Sequence, residues 1–274
     1  MNTIKELRDK SGAGMVDCKK TLEEAGGDLE KAMEILRKKG IAKAAKRSDR
    51  QAGEGVIKVE VDPSGKEGYM LEVNAETDFV ARNEQFMKFA DDAFTILKSK
   101  KTAGRDALLS AEMDSATVKG IMDNLSGVIG EKLDIKGAVV LSSDGSIAGY
   151  SHMGGRIGVL VSLNKPVKED LARDIAMQIA ASNPKYISPD QVPAAEIEKE
   201  KDIYREQIKK EGKPENMVEK ILEGKINKYF EDVCLVKQEY IKDDGKKVQD
   251  ILGDAKIEKF IIFKLAGSPL TCGI

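Results

Sequence analysis

The sequence has no tryptophan, a single histidine and three cysteines, and only 5% of its residues are aromatic. The one histidine, His152, excludes a histidine-based metal site. The three cysteines, Cys18, Cys234 and Cys272, lie far apart in the sequence. Their odd number and wide spacing exclude a disulfide framework and fit a reducing compartment. The chain also has no G-x-x-x-x-G-K-[ST] loop to cradle phosphates. We therefore expect no metal, no cofactor, no direct nucleotide binding and no enzymatic chemistry.

Long apolar runs and a strong net charge are also absent. No apolar run approaches the ~20 residues needed to cross a bilayer, and the first residues have no apolar core of signal-peptide length. The formal net charge of -2 gives no overall attraction to nucleic acid or to an anionic membrane. The basic stretch from Lys43 to Arg50 has no interleaved aromatic residues for base stacking. We expect a cytoplasmic protein without a membrane or nucleic-acid partner.

The first forty residues predict a small module of three helices. Thr3 and Glu6 have the spacing of a capping box for the first helix. Asp28 is placed to cap the third helix, which we predict to end at Gly40. Such a module buries little apolar surface, so it is expected to be marginal on its own. Residues 41–55 then predict a basic, mobile linker.

From Gly55 onward the apolar spacing becomes alternating, which predicts antiparallel strands. A β-hairpin over 56–74 precedes a helix that carries apolar residues at helical spacing, namely Phe86, Phe89, Ala90, Phe94 and Leu97. Residues 112–134 are predicted to be helical. A second hairpin follows, with strands at 138–141 and 147–152, and then a third strand and a helix at 156–163 and 167–181. This repeated order predicts an approximate internal duplication.

Residues 193–233 are highly charged. Two series of mostly apolar residues follow a 4-3-4 spacing there, namely Ile197, Lys201, Tyr204 and Ile208, and Val218, Leu222, Lys225 and Tyr229. This pattern predicts two antiparallel helices joined by the turn Gly212-Lys213-Pro214. A strand at 258–265 returns to the second unit, so the helical hairpin is an insertion within it. We predict an α+β fold with small antiparallel sheets. Its units are the helical N-terminal module at 1–40, the linker at 41–55, one core subdomain at 56–136, a second at 137–190 and 234–274, and the inserted hairpin at 191–233.

The segment from Asn74 to Asn83 joins a strand to the helix that follows. In one interpretation Asp78 caps a turn while Phe79 and Val80 fill the core. In the other, a carboxylate beside an aromatic ring forms a compact probe for a protein partner, because the ring supplies a desolvated anchor and the carboxylate a directed charge. The residues alone leave both interpretations open.

Two catalytic interpretations are weaker. Glu76 and Asp78 are two residues apart, but neighbouring carboxylates are common on solvated surfaces and do not by themselves indicate acid–base chemistry. Gly154, Gly155 and Gly158 lie between two predicted strands, which is the wrong context for a dinucleotide-binding fingerprint. We interpret these glycines as a hairpin turn.

Three stretches resemble the bacterial translation elongation factor Ts family. LRDKSGAGMVDCKKTLEEAGGDLEKAMEILRKKG at 7–40 is similar to that family's ubiquitin-associated-like N-terminal domain. EVNAETDFVARNEQF at 72–86 and GYSHMGGRIGVLV at 149–161 are similar to its core. The resemblance covers nearly the whole chain. It implies a guanine-nucleotide exchange factor that binds the GTPase elongation factor Tu.

The resemblance also implies a mechanism. Asp78 and Phe79 are expected to intrude beside the partner's nucleotide pocket and to disturb its Mg²⁺ site and phosphate-binding loop. GDP would thereby lose its metal and its cradle of backbone N–H groups. Val80 is expected to pack against the core, and Thr77 to shape the loop.

Further contact positions follow from the same resemblance. Arg8, Met15 and Val16 match positions of the N-terminal domain that touch the partner's G domain. Ile129 matches a core position near the partner, and His152 a position facing the partner's more distal domain. Met15 and His152 each also have an ordinary structural interpretation, as a helix-packing residue and a satisfied structural histidine.

Two points stay open at this stage. Many family members continue past the final strand into a further helix, whereas residues 266–274 are too short and too rich in glycine and proline for one. Family members also differ in whether they bind the partner as a monomer or first form a homodimer. The alternative function is a translation-associated binding scaffold without exchange activity.

Overall fold

The computed structural model describes residues 2–114, 116–212, 214–268 and 270–273. Helices and small antiparallel sheets alternate along the chain, so the predicted α+β class is confirmed. The α-helices of the described residues are α1 (Asn2–Ser11), α2 (Met15–Glu24), α3 (Leu29–Ala45), α4 (Asp78–Ala81), α5 (Glu84–Lys100), α6 (Arg105–Ser110), α7 (Val118–Ile129), α8 (Glu169–Ser182), α9 (Ala194–Lys210), α10 (Glu215–Val233) and α11 (Val248–Leu252). The strands are β1 (Glu54–Val61), β2 (Glu67–Ala75), β3 (Glu112–Met113), β4 (Ala116–Thr117), β5 (Asp134–Ser142), β6 (Ser146–His152), β7 (Ile157–Leu163), β8 (Glu239–Tyr240), β9 (Asp243–Lys247), β10 (Ile257–Lys264) and β11 (Leu270–Gly273).

Three helices form the N-terminal part of the chain, as predicted. Asp28 caps α3, since its carboxylate accepts hydrogen bonds from the backbone N–H groups of Glu30 and Lys31 at 3.0 and 3.1 Å. The predicted capping box of Thr3 and Glu6 is wrong, because α1 already includes Asn2 and places Thr3 inside the helix. Glu6 instead pairs with Lys10 one turn later, at 2.9 Å.

The third helix does not end at Gly40 but continues to Ala45. Gly40 lies where α3 crosses α7, and the backbones are so close there that a Cβ atom added at Gly127 would lie only 2.5 Å from Gly40 Cα. Lys132 Nζ then donates to the carbonyls of Ser48 and Arg50, at 2.6 and 2.9 Å. The segment after α3 therefore contacts the core, and residues 41–45 of the predicted linker are helical, while its mobility stays a prediction.

Two antiparallel sheets form the core, with strand orders β1-β2-β5 and β11-β10-β7-β6. The segment 138–141, predicted to form a hairpin with 147–152, instead pairs with β2, and Leu71 lies opposite Ala138. The physical reason is that β2 is buried almost throughout, so it needs a hydrogen-bonded strand on each side. The hairpin of the second sheet is β6–β7. The predicted return of the chain into this sheet is confirmed by the pairing of β10 with β7.

The two sheets lie face to face, with helices on both outer sides. One cluster of buried residues fills the space between the sheets and includes Ile57, Met70 and Leu160. A Cβ atom at Gly158 would lie 2.4 Å from Ile57 Cγ2, so this glycine permits the close approach of the sheets. Gly154 and Gly155 have φ values of 66° and 90°, as expected of a turn between strands. The glycine-rich stretch is therefore structural.

The outer faces carry the larger clusters. The first sheet packs against α5, whose predicted apolar residues Phe86 to Leu97 are all buried, and the second packs against α8. The helix predicted over 112–134 is shorter, because α7 spans Val118–Ile129 and is preceded by the β3–β4 hairpin and followed by β5. The predictions missed α6 and also β11, which adds an edge strand to the second sheet.

Helices α9 and α10 form the predicted antiparallel hairpin. Its seam contains Tyr204, Ile208 and Leu222 as predicted, and also Ile226, which the 4-3-4 spacing missed. Lys213 of the predicted turn lies outside the described residues. At the base of the hairpin the Glu196 carboxylate accepts hydrogen bonds from the hydroxyls of Tyr186 and Tyr229. These bonds connect α9 to α10 and to the segment that follows α8. The division of the chain into separate domains stays a prediction.

A buried acid–amide pair lies near the end of β2. Asn74 Nδ2 donates to Glu72 Oε1 at 2.9 Å, and both side chains are fully buried. Glu72 Oε2 and Asn74 Oδ1 have no hydrogen-bond partner among the described residues. Burial raises the pKa of Glu72 above its usual value, and the nearby Asp134 adds to this while Lys136 opposes it. The fold therefore favours the protonated form of this carboxyl.

This pair predicts a pH-dependent stability. A carboxyl whose folded pKa is raised contributes stability below its unfolded pKa and loses it as the pH rises through the folded pKa. Glu72→Gln, which cannot ionise, should therefore stabilise the protein more at pH 8 than at pH 5. Urea unfolding at both pH values measures this difference. An equal effect of the substitution at the two values would contradict it.

Candidate functional site

The single-turn helix α4 carries the candidate residues Asp78 and Phe79. It begins after Thr77, whose hydroxyl oxygen accepts a hydrogen bond from Val80 N at 3.4 Å. Val80 is half-buried and packs against the core of the first sheet, whereas the Phe79 side chain is 83% exposed. Of the two interpretations of this segment, core filling therefore applies to Val80 and not to Phe79. An aromatic ring this exposed on a short helix is an unusual surface feature that fits a binding site.

Charged side chains surround the exposed ring. Asp78 pairs with Arg82 at 3.2 Å, one helical turn away, and both side chains face solvent. Nearby, Arg156 pairs with Glu54 at 2.7 Å. The hydrogen bond from Arg156 lowers the pKa of Glu54, and the same contact raises the pKa of Arg156. Phe79 is thus adjacent in the chain to one ion pair, and the second pair is close to the first, since the Asp78 charge also raises the pKa of Arg156.

Hydrogen bonds to the end of α7 hold the loop before α4. The backbone N and the Oγ1 atom of Thr77 both donate to the Glu131 carboxylate, at 3.0 and 2.7 Å. In the opposite direction, the Glu76 carboxylate accepts a hydrogen bond from Lys132 N at 2.6 Å and pairs with Arg50 at 3.3 Å. Sequence reasoning missed these contacts, because Glu131 and Lys132 lie more than fifty positions from the loop and carry no local pattern.

The predicted N-terminal contact residues lie on the same side of the core. Met15 and Val16 begin α2 and are 53% and 65% exposed, and Arg8 is an exposed residue of α1. Just before them, a Cβ atom at Gly12 would lie 3.0 Å from Gln85 Nε2 of α5 and 3.5 Å from a methyl carbon of Val128 in α7. The turn between α1 and α2 therefore lies at the same end of α7 as the loop that carries Phe79.

The remaining two predicted residues differ in their surroundings. Ile129, the last residue of α7, is half-buried against the core of the first sheet. His152 ends β6, is exposed, and has Nδ1 3.0 Å from the Tyr150 hydroxyl. The next residue, Met153, is 66% exposed in a left-handed conformation and was missed by sequence reasoning. This turn lies beside β1, since the Gly155 carbonyl accepts a hydrogen bond from Ile57 N at 2.7 Å.

An exposed aromatic ring beside an ion pair gives the site the character of a protein-binding surface. Across the described ranges, no group of three or more histidine, cysteine, aspartate or glutamate side chains is placed to hold a metal ion. None of the helices in the described part of the chain is both long and apolar enough to cross a membrane. What the site presents is an exposed aromatic ring on a short helix whose start is held by hydrogen bonds.

Comparisons with known proteins agree with this geometry. Residues 76–267 match the family model described as Elongation factor TS. An elongation factor Ts from Prosthecochloris aestuarii is 45% identical over 257 residues, which cover 91% of this chain and 89% of that protein. Elongation factor Ts proteins from Chlorobaculum tepidum and Chlorobium phaeobacteroides are 43% and 46% identical, and the matches cover 96% and 91% of this chain and 96% and 89% of those proteins, respectively.

An α+β protein with an exposed aromatic tip, similar over almost its whole length to these proteins, is a translation elongation factor by class. Within that class, the chain belongs to the elongation factor Ts family. The family resemblance drawn from the sequence motifs is therefore confirmed. The individual site residues stay predictions.

Proposed function

We propose that this protein binds the GDP-bound form of elongation factor Tu and promotes release of the nucleotide during translation elongation. The observation that carries the proposal is the 83% exposure of Phe79 on a helix whose other apolar residues, Val80 and Ala81, pack against the core. An aromatic ring is among the side chains that contribute most to protein interfaces when a partner buries it. The family's exchange role supplies the partner, and the cytoplasm is the expected location.

In the proposed mechanism, Phe79 acts as a wedge that displaces structural elements of the partner. The charge of Asp78 helps to hold those elements in their displaced positions. The ring enters between helices of the partner's G domain, beside its nucleotide pocket. Movement there disturbs the partner's Mg²⁺ and its phosphate-binding loop, so GDP loses its strongest contacts. By linkage, a factor that prefers the nucleotide-free partner weakens nucleotide binding by the same ratio. This protein itself holds no nucleotide in the scheme.

The other predicted contacts have supporting roles in the proposal. Met15 and Val16 present exposed apolar surface near the end of α7, where they can extend the interface around Phe79. His152 and Met153 lie beside the start of β1 and reach a second region of the partner. The homodimer stays a prediction, and the residues after β10 form the edge strand β11.

A release assay tests this function and separates it from the scaffold alternative. Elongation factor Tu is loaded with fluorescent GDP, excess unlabelled GDP is added, and this protein is supplied in trace amounts. We expect release to accelerate, with each molecule of this protein acting on many molecules of the partner. If a complex forms but release is unchanged, the protein is a binding scaffold without exchange activity.

A further inference from the structure

A four-residue helix does not by itself fix the orientation of a side chain that must act on another protein. A single helical turn fixes several backbone dihedral angles for one or two hydrogen bonds, so it is not stable by itself. Val80 contributes only a half-buried contact to the core. The orientation of Phe79 must therefore be set by groups outside α4.

Thr77 connects α4 to such a group. A hydroxyl has one hydrogen to donate and lone pairs to accept with. The Thr77 hydroxyl donates its hydrogen to Glu131 Oε1 at 2.7 Å, which leaves a lone pair for Val80 N at 3.4 Å. Glu131 thus fixes the rotation of the hydroxyl that caps α4. Its second oxygen accepts from Thr77 N at 3.0 Å and fixes the backbone just before the helix.

The Glu131 backbone is itself held in place. Gly130, with φ of 93°, ends α7 in the left-handed conformation that glycine adopts readily. The buried Ser126 hydroxyl then donates to the Glu131 carbonyl at 2.6 Å. In the next residue, Lys132 N donates to the Glu76 carboxylate at 2.6 Å. Two glutamates on two loops thus each bind the backbone of the other loop.

From this geometry we propose that Glu131 is a positioning residue for Phe79. It acts through Thr77 by holding α4 in the orientation that presents the ring. A carboxylate is required because both of its oxygens accept hydrogen bonds from Thr77, whereas a glutamine amide offers one acceptor. The inference rests on the proposed function for its consequence in nucleotide release, but the ordering of the loop is a property of the free protein.

The first test measures that ordering directly. Amide hydrogen exchange of residues 77–82 is followed in the free protein and in the Glu131→Gln variant. We expect exchange in this segment to become about tenfold faster, while the amides of α5 are unchanged, because one charge-assisted hydrogen bond is lost. The matched control is Glu223→Gln on the exposed face of α10, which should change neither segment. Unchanged protection at 77–82 in Glu131→Gln would overturn the proposal.

The second test uses GDP release from elongation factor Tu. Glu131→Gln and Thr77→Val should each slow release about tenfold, and Thr77→Ser, which keeps the hydroxyl, should retain the parent rate within about twofold. Because Glu131 acts through the ring, Glu131→Gln should add no further loss when Phe79→Ala is already present. If the double variant instead shows the product of the losses of the two single variants, the positioning role is overturned. If the parent protein does not accelerate GDP release from elongation factor Tu, the proposed function fails. The amide hydrogen exchange still decides the role of Glu131 in the loop.

Discussion

Replacing Phe79 with alanine should slow GDP release about thirtyfold or more and leave the stability of the isolated protein nearly unchanged. The ring is 83% exposed, so its removal creates no cavity in the free protein. In the complex, loss of a central aromatic anchor costs about 2 kcal/mol or more, and about 1.4 kcal/mol corresponds to a factor of ten. The release rate at a fixed concentration of this protein and its thermal unfolding midpoint are the two quantities to measure.

Two controls make this result specific. Ile203→Ala removes another exposed apolar side chain, on α9 of the helical hairpin, and should leave both release and stability unchanged. Phe86→Ala removes a fully buried ring from α5 and should destabilise the protein by about 3–5 kcal/mol. If Phe79→Ala unfolds the protein as Phe86→Ala does, the ring fills the core and the wedge mechanism is wrong.

Replacing Gly127 with alanine should destabilise the crossing of α3 and α7 by about 1–3 kcal/mol. The new Cβ atom would meet backbone atoms of Gly40, with the nearest at 2.5 Å, so neither helix can yield by rotating a side chain. The α3 helix would have to move away from the core, and the contacts of Lys132 with the segment after α3 would be strained. Limited proteolysis within residues 46–53 should become faster, and GDP release slower.

The matched control for this substitution is Gly224→Ala. Gly224 also lies inside a helix, but its added Cβ atom would meet nothing within 4 Å. Alanine favours a helix over glycine by up to about 1 kcal/mol, so this variant should be slightly more stable than the parent. The same chemical change is thus expected to have opposite signs at the two positions. Destabilisation of similar size at both would contradict the close-packed crossing.

Local patterns predicted the elements that local chemistry determines. The helical spacing of apolar residues identified α5, and Asn83 caps it by accepting from Gln85 N at 2.9 Å. Charge and 4-3-4 spacing identified the hairpin α9–α10. Each of these features depends on residues within a few turns of one another, so the sequence alone contains the information.

Long-range partners decided what the patterns missed. Gly40 predicts the end of α3, whereas the helix continues past it. Gly40 instead lies at the helix crossing, against Gly127, which is distant in the sequence. The segment 138–141 precedes a turn and a further predicted strand, which predicts a place in the second unit, whereas β5 pairs with β2, a strand buried almost throughout. For the site, the motif identified Phe79, but nothing near the motif indicated Glu131.

The reciprocal effect of this protein and GDP on binding to elongation factor Tu tests the central claim most directly. The dissociation constant of GDP from elongation factor Tu is measured with and without saturating amounts of this protein. The dissociation constant of this protein is measured with the nucleotide-free and with the GDP-bound partner. The account predicts that both constants rise by the same large factor, and that Phe79→Ala reduces the factor in both. An unchanged affinity of the partner for GDP when this protein is bound would contradict it.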